Sequence, residues 1–129
     1  MTSRMDAPEK PSPSSGRLPL LDHPHDAPSE FRPEDLVDAV RGQRGLGAST
    51  LPEVCILDFD GDLTDAMVES GELTRCREWA CFHTAMWSFE VDGRRCGLID
   101  RTIGGPYAVL LAEQLADSGV KVPVGVTSA

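Results

Sequence analysis

The chain is short of positive charge. Its 129 residues carry 12 Lys and Arg against 21 Asp and Glu, a net charge of −9. After Lys10 the only lysine is Lys121. A protein that coats nucleic acid or settles on an anionic bilayer needs basic patches, so neither partner is expected. There is no run of about 20 apolar residues, and hence no expected membrane span. The N-terminus lacks the apolar core of a signal peptide, which by default implies a cytoplasmic address. In that setting Cys55, Cys76, Cys81 and Cys96 are expected as free thiols that pack like small hydrophobes. Cys76-x4-Cys81-x-His83 is not the spacing of paired zinc knuckles, so no metal and no cofactor is expected. His23 and His25 flank Pro24 and read as solvated. No internal repeat is evident.

What is present divides unevenly. Residues 1–30 hold most of the ten prolines and show little apolar periodicity apart from Leu18-Pro19-Leu20-Leu21. They are expected to form a disordered or surface-draped tail. Residues 31–129 carry the foldable pattern. A helix is expected over 31–44, capped by Ser29, with Pro33 in its first turn and Glu34 and Asp35 at its positive end. Leu36, Val37 and Val40 form its apolar face. A strand follows over 54–58, then a short helix over 65–70. Residues 79–89 read in part as a strand, because Phe82, Trp87 and Phe89 favour extended backbone. Asp92-Gly93 signals a hairpin turn, and 95–100 is the returning strand.

The last third, 96–129, is the most informative segment. Cys96-Gly97-Leu98-Ile99-Asp100 is an apolar strand. Thr102-Ile103-Gly104-Gly105-Pro106 is a turn, residues 107–117 an Ala-, Val- and Leu-rich helix, and 120–126 a second strand. Strand, crossover helix and strand over about 30 residues build a parallel sheet, which needs helices on both faces. Two glycines permit positive φ or close approach of a ligand. Pro106 suits the start of a helix and Gly119 its end. The fold class is therefore α/β.

Thr102-Ile103-Gly104-Gly105-Pro106-Tyr107-Ala108, then Ala112-Glu113-Gln114-Leu115, closing on Val126-Thr127-Ser128-Ala129, resembles the nucleoside phosphorylase superfamily of purine-nucleoside and uridine phosphorylases and nucleosidases. Val54-Cys55-Ile56-Leu57 falls where the family has its first strand. Phe89-Glu90-Val91-Asp92-Gly93-Arg94-Arg95 is similar to its hairpin. The resemblance spans about residues 52–129. It implies the N-terminal part of a phosphorylase-like mixed sheet flanked by helices, incomplete as it stands, from enzymes that cleave an N-glycosidic bond with phosphate or water. It further implies a nucleoside and inorganic phosphate as ligands and a homo-oligomeric full-length protein.

By that resemblance Gly61 and Ser128 would contact phosphate, and Gly104, Gly105 and His83 the nucleoside. No catalytic residue is assigned. The family's ribose-binding Glu and base-contacting Asp or Asn come later than position 129. Its phosphate-binding arginines have no counterpart: the first belongs in Phe59-Asp60-Gly61-Asp62-Leu63, the second near Phe82-His83, the third near Gly125. Arg101 or His83 are the available substitutes.

Two other readings stand beside this one. A noncatalytic remnant or interaction module would keep the fold alone. Ile56-Leu57-Asp58-Phe59-Asp60-Gly61 also resembles the first motif of haloacid dehalogenase-like phosphatases, which would make Asp58 a nucleophile and Asp60 an acid/base. Asp62 then places a further anion where phosphate should bind. The simpler reading of 58–65 is an acidic strand-to-helix turn.

Overall fold

The structure is a computed structural model that describes residues 24–47 and 50–128. The chain divides into two units between Glu30 and Phe31. Most of the proposed tail, residues 1–23 with His23, lies outside the described residues, as does Ala129. Of the first unit the structure shows a turn in which the Ala27 N–H bonds to the Pro24 carbonyl.

The second unit is mixed α/β. In chain order it runs α1 (Pro33–Arg44), β1 (Val54–Asp58), α2 (Asp62–Ser70), β2 (Thr74–Cys76), β3 (Met86–Val91), β4 (Arg94–Asp100), α3 (Gly105–Asp117) and β5 (Val122–Val126). The strands form one open sheet in the order β2-β3-β4-β1-β5. β4, β1 and β5 are parallel, with Ile56 beside Leu98 on one flank and Val124 on the other. β2, β3 and β4 are antiparallel. The expected strand–helix–strand unit is present as β4–α3–β5, with β1 lying between its two strands.

Local chemistry explains the boundaries. α1 starts at Pro33 because the residue before a proline is driven to extended backbone, and Arg32 has φ −104° and ψ 138°. Ser29 therefore sits too early to cap it, and no side chain does. α2 begins three residues before the expected start. Residues 79–85 form a loop rather than a strand. The Trp79 indole N–H donates to Thr84 Oγ1 at 2.8 Å, which folds the loop back on itself and sends Trp79 and Cys81 into the core. Asp92 (φ 49°) and Gly93 (φ 76°) both take positive φ in the β3–β4 turn, as a two-residue hairpin of right-handed twist requires.

The main core gathers Cys55 and Leu57 of β1, Ile99 of β4, Met86 of β3, Leu111 and Leu115 of α3, Val120 and Trp79. α1 packs on α3, and its Val37 and Val40 form a smaller cluster with Ala80. Burial pushes the Cys55 thiol up to about 12, so it stays protonated inside this core. All four cysteines are free. α2 lies against β1 and β4 and gives no residue to the main cluster. Residues at alternate positions point the other way: Leu98 is buried, Val54 and Ile56 are half-buried, and Val122, Val124 and Val126 are exposed. Among the described residues no helix is long and apolar enough to cross a membrane.

Candidate functional site

Because β4, β1 and β5 are parallel, their C-terminal ends share one edge, where Asp100, Asp58 and Val126 stand side by side. Ligands of open parallel sheets bind beyond this edge, in the loops that leave it. Here those loops are 59–61, 101–104 and 127–128. Trp87 lies opposite Leu98 in the antiparallel pair, so the 77–85 loop enters β3 at the same edge.

Asp58 is 2% exposed. One carboxylate oxygen accepts the Gly61 N–H at 3.2 Å, and the other accepts the Thr64 N–H and O–H, both at 2.8 Å. Gly61 precedes α2 with φ 89° and has no side chain to cap it. The strand-end carboxylate supplies that cap from three residues upstream, which is why α2 starts early. A nucleophile must present an oxygen to its substrate. Asp58 instead turns both oxygens inward, onto the turn.

Asp60 stands two residues beyond the end of β1, and Ser128 two beyond the end of β5. Their strands pair in register, so the two residues meet. One oxygen of Asp60, Oδ2, accepts the Ser128 N–H at 2.6 Å, the Ser128 O–H at 2.7 Å and the Thr127 O–H at 3.2 Å. The Ser128 N–H, then its hydroxyl, then that of Thr127 hold the Asp60 carboxyl below its usual range. With its folded-state value depressed, Asp60 adds stability above the unfolded value of about 3.9, and that stability is lost as pH falls through the folded value.

Arg101 has φ 53° and contacts Asp100 and both oxygens of Asp65, the latter at 2.9 and 3.0 Å. Asp65 first and Asp100 second raise its already high pKa. Gly61 lies directly against it: a Cβ there would stand 2.9 Å from the guanidinium carbon. Arg101 is thus already matched by two carboxylates. Gly125, near which the resemblance places a third arginine, is packed against the Phe59 ring. A Cβ on Gly125 would stand 2.7 Å from Cε2 of Phe59. Gly125→Ala should therefore cost about 1–3 kcal/mol of stability by overpacking. In the Phe59→Leu background most of that cost should vanish, which a double-mutant cycle from urea melts would read. Equal costs in both backgrounds would contradict the contact.

Gly104 has φ 104° and accepts the Ala108 N–H, opening α3. Gly105 does not have a positive φ, and a Cβ there would meet no atom within 4 Å. Its lack of a side chain thus serves no contact within the described residues. Thr102, between Arg101 and this turn, is buried with its Oγ1 unpartnered. His83 is exposed, and its backbone N–H donates to Cys81 Sγ. Tyr107 packs against the core cluster that holds Cys81, and burial, then Cys81 and Asp100, raise its hydroxyl.

The structure bonds Ser128 to Asp60, the residue before Gly61, and sets Gly61 against the guanidinium of the Arg101–Asp65–Asp100 cluster. It places Gly104, Gly105 and the His83 loop along the same edge, without a direct contact from His83 to that cluster. Sequence reasoning missed the Asp60–Ser128 contact, the Arg101–Asp65 pair and the Phe59–Gly125 packing. The first was accessible in principle, since equal offsets beyond two paired strand ends meet. Among the described residues no three His, Cys, Asp or Glu side chains are grouped to hold a metal ion. No protein-family model matches the chain, and no curated protein matches it.

Proposed function

We propose that this chain carries the frame of a nucleoside phosphorylase-like protein, and that the edge above β4, β1 and β5 takes a nucleoside. The observation that carries this reading is Gly105. It is a glycine that neither its neighbours nor its backbone angles require, at the open start of a helix on the ligand edge of a parallel sheet. Backbone free of a side chain is what close approach of a ligand needs. Gly104, the half-buried Tyr107 and the His83 loop would complete the nucleoside side, with Gly61 and Ser128 on the phosphate side.

The relatives implied by this reading break the bond between sugar and base with phosphate or water, in nucleoside metabolism. The sugar becomes cationic as the base leaves. An edge bearing Asp60, Asp62, Asp65 and Asp100 suits a cationic sugar and repels an anionic nucleophile, which favours water. The ligands in this reading are a nucleoside with water or phosphate, with no cofactor, nucleic acid or membrane, in a cytoplasmic homo-oligomer. A noncatalytic interaction module is the second reading, favoured by the exposed valines of β5.

Release of free base from inosine and uridine, with and without inorganic phosphate, tests the proposal. Any turnover by the 129-residue chain should be independent of phosphate. Phosphate-dependent release that tracks the protein through purification would overturn the acidic-edge account. Nucleoside binding without release would favour the noncatalytic module.

A further inference from the structure

Thr127 and Ser128, just beyond the end of β5, present three donors to the loop after β1. A backbone N–H and two hydroxyls converge on one oxygen, at 2.6, 2.7 and 3.2 Å, and that oxygen belongs to Asp60. Donors so placed bind any compact oxyanion, since a phosphate oxygen and a carboxylate oxygen ask for the same geometry. We propose that Asp60 is a tethered occupant of this site: its carboxylate fills a latent oxyanion pocket built from Thr127 and Ser128, and keeps free phosphate out. The idea rests on the reading that Ser128 faces the phosphate side of the edge. It adds that the chain itself blocks that side.

Three features support a tethered ligand over a chance contact. Both Ser128 donors, and the Thr127 hydroxyl that can turn instead to the Ser128 carbonyl at 3.3 Å, reach the same oxygen rather than spreading over both. Asp60 is exposed, so no packing forces it inward. Arg101, on the neighbouring loop, is paired with Asp65 and Asp100 rather than with the Asp60 carboxylate. The neighbouring carboxylates would also repel a free anion, whereas a tethered one bears no cost of association.

The test is a titration with inorganic phosphate, followed by the backbone amide signals of the full chain. The parent should show no saturable shift at Ser128. Asp60→Gly should show one, with apparent affinity tighter by about tenfold or more, and adding Ser128→Ala should remove it. Asp60→Asn, which keeps an acceptor on the same donors but drops the charge, should also bind more tightly than the parent. It decides the matter if the glycine variant fails to fold. A merely structural clasp predicts otherwise: a lower melting temperature for Asp60→Gly with phosphate still silent. That result, or equal phosphate binding by parent and variants, would overturn the proposal. Titrating inosine and uridine into the same samples separates the two ideas. A phosphate response in Asp60→Gly with no nucleoside response in any sample keeps the latent pocket and removes the nucleoside reading. A nucleoside response with silent phosphate in every variant does the reverse.

Discussion

Asp58→Ala is expected to destabilise the domain by about 3 kcal/mol, since it removes a helix cap and leaves buried donors without an acceptor. The substitution strips partners from the Gly61 N–H and from both the N–H and O–H of Thr64, a residue itself buried. For a unit of roughly 100 residues, each kcal/mol moves the melting temperature by about 4–8 °C, so a fall of at least about 12 °C should be seen. Asp58→Asn should recover part of this, because its Oδ1 can still accept from Thr64 while its N–H₂ faces the Gly61 N–H where an acceptor is needed. A thermal melt followed by circular dichroism gives the answer. A variant as stable as the parent would remove Asp58 from the turn. If it also lost a Mg²⁺-dependent phosphoesterase activity present in the parent, the dehalogenase-like reading would replace the present one.

The second large effect concerns association. Val122, Val124 and Val126 are 49%, 40% and 36% exposed, on the sheet face they share with the half-buried Val54 and Ile56. A contiguous apolar surface of this kind marks an interface or an aggregation hazard. The open edge of β5 contributes less. Val122 N–H bonds to the Glu53 carbonyl and the Val126 carbonyl accepts from Phe59 N–H, so residues 122 and 126 turn toward β1. By alternation Pro123 turns outward, where it offers no N–H to an added strand. Self-association should therefore run through the valine face. The parent should sediment as oligomers or aggregate despite its charge of −9. Val122→Thr combined with Val124→Thr should weaken association by about tenfold or more, because both changes remove apolar surface from the contact. A parent that is a monomer at high concentration with a sharp cooperative melt would contradict this. It would mean residues 31–129 close their own core.

The elements whose signals are local were legible in the sequence. Pro33, the Asp92-Gly93 pair, Gly104 with Pro106, and Gly119 each mark a backbone conformation that few other residues favour, and the α/β class follows from the order of those signals. β2 was not foreseen: Thr74–Cys76 is three residues long and owes its strand to pairing with β3. Nor could the pattern of 96–126 reveal that β1 separates β4 from β5, because strand order is a tertiary property. At the site, acidic residues after β1 were visible but their tasks were not. Asp58 and Asp60 are two residues apart and look alike in sequence. One is drawn inward by Thr64 and the other outward by Ser128, 68 positions away. Phe59 against Gly125 was likewise hidden, since only the pairing of β1 with β5 brings them together.

The central claim is that the loops following β1, β4 and β5, with the loop before β3, form one nucleoside-binding edge. Titrating inosine or uridine into the isotopically labelled chain, and mapping the shifted backbone amides, tests it most directly. Saturable shifts should cluster at Gly61, Arg101 to Gly105, His83 and Ser128, with the turn at Asp92 and Gly93 unchanged at the far end of the hairpin. Shifts centred on that turn, or no saturable shift at all from a folded chain, would contradict the account.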